Sequence, residues 1–130
     1  MDKTKRKTIL LIDDDSIALV VASVMLSEDY EVTTAKSGKE ALFLLLHDFK
    51  PDLILLDILM PEMDGWETFH AIKGIVLLQN IPIIFLSSVS DEEGIKQSQV
   101  IGVSDYITKP YDKANLLSRV KNVLSQSPPT

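Results

Sequence analysis

The chain has no cysteine, which excludes a disulfide framework, a thiolate nucleophile and a Cys-based zinc site. It is short of positive charge: 13 Lys and Arg stand against 19 Asp and Glu, a net charge of −6 over 130 residues. A sequence-independent nucleic-acid binder or a binder of anionic membrane would need a basic face, so neither is expected as a direct partner. No GxGxxG follows the first predicted strand and no GxxxxGK[ST] occurs, which argues against dinucleotide and P-loop sites. After the basic opening Met1–Thr8, the first apolar run is only Ile9-Leu10-Leu11-Ile12. That is too short for a signal peptide or a membrane span, and the expected location is the cytoplasm. With 45% hydrophobic and 25% charged residues, the composition is that of one globular domain with a core.

What is present is organised around Pro51-Asp52-Leu53-Ile54-Leu55-Leu56-Asp57-Ile58-Leu59-Met60-Pro61-Glu62-Met63-Asp64-Gly65. The apolar run predicts a strand buried on both faces. It delivers one carboxylate, Asp57, to the C-terminal edge, where open α/β sheets place their sites. Ile9–Ile12 predicts a second such strand, ending in Asp13-Asp14-Asp15, and a helix follows from Ser16 to about Glu28 with Ile17, Val20, Val21, Val24 and Met25 inward. Glu31–Ala35 reads as an edge strand. Ser37 and Glu40 form a candidate capping box for a helix burying Leu42, Leu45, Leu46 and Phe49. Beyond Gly65, a helix from Trp66 to about Leu78 has Phe69, Ile72, Ile75 and Val76 as candidate buried residues and is weakened by Gly74. Ile81–Leu86 predicts a fourth strand ending in Ser87-Ser88, and Ser90-Asp91-Glu92-Glu93 opens a helix reaching roughly Val100. Asp105–Thr108 predicts a fifth strand ending in Lys109-Pro110, and Lys113 to about Ser125 a last helix with Leu116, Leu117, Val120, Val123 and Leu124 inward. Alternating strands and helices with short connections predict a doubly wound parallel sheet.

Four strand ends then carry polar groups to one edge: Asp13-Asp14, Asp57, Ser87 and Lys109. Each has an ordinary explanation alone. The acids can cap and charge a helix start, Asp57 can cap a loop, Ser87 can serve a turn, and Lys109 can sit in solvent. Together they suit phosphoryl transfer to a carboxylate. A divalent cation held by Asp13, Asp14 and Asp57 would offset repulsion between nucleophile and phosphoryl group, and all-oxygen ligands favour Mg²⁺ or Mn²⁺. Lys109 and Ser87 would meet other phosphoryl oxygens.

The first-strand acids, the stretch 51–65, Leu86-Ser87-Ser88 and Asp105-Tyr106-Ile107-Thr108-Lys109-Pro110 together resemble the signature of bacterial response-regulator receiver domains of two-component, phosphorelay signalling, the chemotaxis regulators included. The resemblance runs from about residue 8 to residue 125. It implies a flavodoxin-like fold, a five-stranded parallel sheet of order 2-1-3-4-5 flanked by five helices. It also implies Asp57 as phosphoacceptor, Asp13 and Asp14 with the backbone carbonyl of Leu59 as further Mg²⁺ ligands, and Lys109 as the phosphate-contacting lysine. Ser87 and Tyr106 would be the switch pair, and Lys109–Pro110 a cis bond. The donor would be a phosphohistidine on a histidine kinase or histidine phosphotransfer protein. Phosphorylation would switch the surface of the fourth helix, fifth strand and fifth helix for a downstream protein or a missing output domain. On this reading residues 1–7 are a basic extension, 8–125 the receiver domain and 126–130 a disordered tail. The chain is a phosphoacceptor rather than a turnover enzyme, either acting alone or forming part of a longer regulator or hybrid kinase.

His47 and His70, each alone on a helix, read as surface residues. Leu59 and Val89 are apolar and cannot orient a hydrolytic water, so slow dephosphorylation is expected. The run Ile75–Leu78, with Leu19, Leu26, Phe43 and Leu44, suggests apolar surface for a partner or homodimer, or else helices shifted to bury it. Two other functions fit less well. A haloacid dehalogenase-like phosphatase would use Asp13-Asp14-Asp15 as its DxD motif, but lacks a matching later order. A phosphorylation-independent interaction module would not need the complete site.

Overall fold

In the computed structural model, residues 6–88 and 101–126 are described. Five strands, β1 (Thr8–Ile12), β2 (Glu31–Ala35), β3 (Leu53–Asp57), β4 (Ile83–Ser87) and β5 (Asp105–Thr108), form one sheet. All pairings are parallel, in the order β2-β1-β3-β4-β5. Four α-helices lie among the described residues: α1 (Ser16–Leu26), α2 (Gly38–Leu46), α3 (Gly65–Lys73) and α4 (Lys113–Leu124). The helix expected over 90–100, with its capping signature and Val89, lies outside the described residues.

The period-two alternation of strand side chains divides the core in two. Leu10, Ile12, Ile54, Leu56 and Phe85 face Ala41, Leu45, Phe69 and Ile72 of α2 and α3. Ile9, Leu11, Leu53, Leu55 and Ile84 face Leu19, Ala22 and Leu26 of α1 and Leu116, Val120 and Val123 of α4. β3 is central and buried along its whole length, as its unbroken apolar run requires.

The inward face of α1 differs from expectation. Leu19, Ala22 and Leu26 are buried, whereas Ile17, Val20, Val21 and Val24 are exposed. α1 is apolar nearly all round (SIALVVASVML), so two stripes offset around the helix satisfy the same periodicity. The stripe at 19, 22 and 26 meets the sheet. Leu46 of α2 is likewise exposed, while Leu45 is buried and Leu42 and Phe49 are partly buried. The helix expected to reach Leu78 stops at Lys73, with Gly74 as its C-cap; Val76–Leu78 is a separate 3₁₀ turn that buries Leu78 and leaves Val76 and Leu77 exposed. Of the residues expected as spare apolar surface, Leu19, Leu26 and Leu78 are therefore core, and Phe43, Val76 and Leu77 are surface.

Local chemistry explains the helix starts. Asp15 caps α1 by accepting from Ile17 N at 3.0 Å, and Ser37 caps α2 by accepting from Glu40 N at 3.0 Å. Glu40 does not close a capping box on Ser37; its carboxylate accepts from Lys36 N instead. The full box is at α3, where Asp64 accepts from Glu67 N at 2.9 Å and Glu67 accepts from Asp64 N at 3.0 Å.

The two faces of α1 can be separated by measurement. Leu26→Ala should lower unfolding free energy by about 2–5 kcal/mol, and Val24→Ala by less than about 0.5 kcal/mol, read from urea midpoints. The reverse ranking would place the wrong stripe against the sheet.

Candidate functional site

A parallel sheet brings every strand's C-terminal end to one edge, and here the ladder continues one residue further. Asp13 N donates to Ala35 O at 3.1 Å, Ile58 N to Leu86 O at 3.0 Å, and Lys109 N to Ser87 O at 2.7 Å. The residues that emerge are thus backbone-held rather than on free loops. Asp13 follows β1, Asp57 and Ser87 end β3 and β4, and Lys109 follows β5.

These side chains meet as the strand ends suggest. Lys109 Nζ lies 2.8 Å from Asp13 Oδ2 and 3.3 Å from Asp57 Oδ1. Asp13 is 2% exposed, Asp57 6% and Ser87 0%. Asp14 is exposed, yet carboxylate oxygens of Asp13, Asp14 and Asp57 all lie within 4.8 Å of one another. The acid triplet divides its labour. Asp13 and Asp14 join the cluster, while Asp15 caps α1 and donates its own N–H to Asp13 Oδ1 at 3.0 Å. Asp15 is therefore occupied as a cap, against a DxD nucleophile motif. The Lys109–Pro110 peptide bond is cis.

Three carboxylates against one ammonium leave a negative surplus in a mostly buried site. Burial and the charge of Asp13 push the Asp57 carboxyl up to about 6; the charge and hydrogen bond of Lys109 oppose the shift, and Asp14 adds to it. Burial pulls Lys109 down, but its hydrogen bond to Asp13 and the charges of Asp57 and Asp13 outweigh this and leave it raised. Among the described residues, this acid group is the only one with metal-ligating spacing. All-oxygen donors carrying surplus negative charge fit a hard divalent cation such as Mg²⁺.

Two contributors were missed from the sequence. Gly65 donates its N–H to Ile58 O at 2.8 Å, and a Cβ there would lie 2.6 Å from both Asp57 O and Ile58 Cα. Asp64-Gly65 reads as a turn signal, but its function here is to let α3 begin against the backbone of Asp57 and Ile58. Tyr111 is partly buried beside the site; burial raises its phenol first, with Lys109 lowering and Asp13 and Asp57 raising it. Tyr106 is partly buried against the α2–α3 core. His47 is exposed and stacked on Phe43, and His70 is exposed.

Residues 9–121 match the response regulator receiver domain. The chain belongs to that family. The receiver is 37% identical over 124 residues to the phosphate regulon transcriptional regulatory protein PhoB of Pseudomonas aeruginosa, covering 95% of this chain and 54% of PhoB. It is 38% identical over 120 residues to the probable cyclic di-GMP phosphodiesterase of Vibrio cholerae, covering 92% of this chain and 27% of that protein. The receiver thus spans about half or less of these curated relatives. In structure it resembles the signal receiver domain of a signal transduction histidine kinase from Syntrophus aciditrophicus (TM-score 0.84, 36% identity, 95% and 94% of the two chains covered). It also resembles the chemotaxis protein CheY4 of Vibrio cholerae (TM-score 0.84, 28% identity, 91% and 98% covered). The sheet order 2-1-3-4-5 is that of these neighbours' fold, and the phosphatase alternative is not favoured. No helix among the described residues is long and apolar enough to cross a membrane.

The raised Asp57 carboxyl has a stability consequence. The folded receiver holds this proton up to about pH 6, the unfolded chain only to 3.8. The folded state binds more protons between those values, so Asp57 costs stability as pH rises through that window, and above it the cost is constant. Asp57→Asn should therefore stabilise the cation-free receiver at pH 7 by on the order of 2 kcal/mol, with the gain vanishing near pH 4. Denaturant titrations at the two pH values check this, and a variant no more stable than wild type at pH 7 would remove the account of Asp57 as raised by burial and surplus charge.

Proposed function

We propose that the receiver accepts a phosphoryl group on Asp57 from a phosphohistidine of a histidine kinase or histidine phosphotransfer protein. The observation that carries this is a nearly buried carboxylate bonded to Lys109 and clustered with Asp13 and Asp14. An Asp57 oxygen attacks phosphorus, the nitrogen–phosphorus bond breaks, and the imidazole leaves and is protonated from solvent. Mg²⁺ bound by Asp13, Asp14, Asp57 and the carbonyl of Leu59 would supply charge neutralisation between the two anionic groups. Lys109 is already bonded at the acceptor and would hold a phosphoryl oxygen without travelling far. Exposed Ile17, Val20 and Val24 lie on the helix that begins beside the acid pair and suit a protein donor.

Asp57 phosphate would add about −1.5 to −2 charges at one point. Ser87 ends the strand next to β3, and Tyr106 pairs with Phe85 on the outer strand. A hydroxyl drawn to the phosphate and a ring following it would pass the change to the β5–α4 surface, where a downstream protein or an output domain would read it. Residues 8–125 would form this unit. It is a phosphoacceptor that assists its own phosphorylation and hydrolysis rather than a turnover enzyme.

Incubation with acetyl phosphate and Mg²⁺, or with a cognate kinase, should add one phosphoryl group to wild type and none to Asp57→Asn, read by intact mass. Label retained in the variant would overturn Asp57 as acceptor, and no label on wild type would favour a phosphorylation-independent module. The exposed, apolar Leu59 offers water no hydrogen bond beside the acceptor, so the phosphate on purified protein should last minutes or longer. Leu59→Asn should shorten that lifetime several-fold, and a wild-type lifetime of seconds would contradict the assignment.

A further inference from the structure

Gly38, the first residue of α2, is buried, and the phosphoacceptor reading leaves it without a role. A Cβ on Gly38 would overlap Thr68 Oγ1 and lie 2.9 Å from Met63 Sδ. Both neighbours belong to the segment that leads away from the acceptor. Met63 lies in the loop between β3 and α3, and Thr68, fully buried in α3, donates its hydroxyl to Asp64 O at 2.8 Å. The same loop is closed on itself by Gly65 N bonding to Ile58 O at 2.8 Å and by Met63 N bonding to Pro61 O at 2.7 Å. Glu62 within it has φ of 65°, a left-handed conformation uncommon for a residue with a side chain. Residues 58–64 are thus a tight arc, fixed to Asp57's backbone at Gly65 and pressed from outside by α2 at Gly38. No α2 residue belongs to the acid cluster, so any influence of α2 on the site has to pass through this contact or through the core.

We propose that Gly38 is a positioning residue for the cation and phosphoryl site. The bare backbone of the first turn of α2 seats Met63 and Thr68, and this sets where the 58–64 arc holds the Leu59 carbonyl beside Asp57. The proposal rests on the phosphoacceptor reading. It makes α2, which contributes no residue to the acid cluster, a determinant of cation affinity. It also explains why a residue with poor helix propensity opens a helix whose Ser37 cap would accept most residues at the next position.

The test is Mg²⁺ titration followed by fluorescence of Trp66, the lone tryptophan. It directly follows Gly65 and packs edge-on to Phe85 of β4, with ring centroids 4.9 Å apart. Gly38→Ala should weaken Mg²⁺ binding about tenfold, the scale on which supporting residues act on metal sites. Adding Thr68→Ala, which removes the atom the new methyl meets, should restore affinity to within about twofold of wild type. Leu45→Ala lies in the same helix but faces the groove lined by Ile75 and Leu78; it should lower the melting temperature and leave Mg²⁺ affinity unchanged. Met63→Ala empties the contact instead of overfilling it and should also weaken Mg²⁺, which keeps the test intact if Gly38→Ala does not fold. Wild-type affinity in Gly38→Ala, or in Met63→Ala where only that variant folds, would overturn the role of Gly38. So would a loss that Thr68→Ala fails to rescue and Leu45→Ala reproduces. A wild-type receiver that binds no Mg²⁺ would overturn the phosphoacceptor reading itself and this proposal with it.

Discussion

Two carboxylates that neighbouring strands carry into a nearly water-free position share one lysine. Asp13 and Asp57 both lie on Lys109 Nζ, and Asp14 adds a third charge from the solvent side. A pair of like charges about 4 Å apart near a protein surface costs on the order of 4 kcal/mol. Lys109 offsets part of that, and burial, together with the repulsion that is left, raises Asp57 to about 6. The remainder of the fold can be understood as what keeps such an arrangement from relaxing apart. The ladder hydrogen bonds run one residue beyond β1, β3 and β5. Helix α3 starts against the carbonyl of Asp57. Both faces of β3 are packed.

Sheet order determines which group can play which part. β1 and β3 are neighbours, so their terminal acids are brought within reach of one cation. β5 lies beyond β4, about two strand spacings, or roughly 10 Å, from β3. Only a long side chain bridges that distance, and Lys109 does so over the end of β4. Ser87, at that end, is fully buried. A lysine within reach of both acids and a hydroxyl at the end of the intervening strand are therefore consequences of one topology, rather than separate acquisitions.

The legible parts of the sequence were those where one physical requirement dominates. Continuous apolar runs predict strands and polar residues at their ends mark the edge, so the sequence itself places Asp13, Asp57 and Lys109 together. Helix faces were less legible where composition did not break the symmetry. In α1 the branched residues Ile17, Val20, Val21 and Val24 are as apolar as Leu19 and Leu26, and only the sheet decides which stripe is covered. The Asp13-Asp14-Asp15 run was ambiguous for another reason. Both proposed uses, helix cap and acid cluster, are realised, by different members of the run. Gly65 is legible only as part of a turn and Gly38 only as part of a helix start, because what they exclude is a clash with residues distant in the chain or across a turn.

The surplus charge also ties cation binding to the protonation of Asp57. To act as the nucleophile proposed for it Asp57 would have to be ionised, yet without a cation its environment favours the proton up to about pH 6. Anything that compensates the negative surplus lowers that value, so cation binding and loss of the Asp57 proton are thermodynamically linked, each favouring the other. Lys109 alone leaves the balance near neutrality, where small changes in local charge shift it. A site with two lysines would hold Asp57 ionised but would need a cation less. A site with none would give up the carboxylate's charge altogether. The single lysine, reaching across β4, leaves the ionisation of Asp57 under the control of what binds beside it.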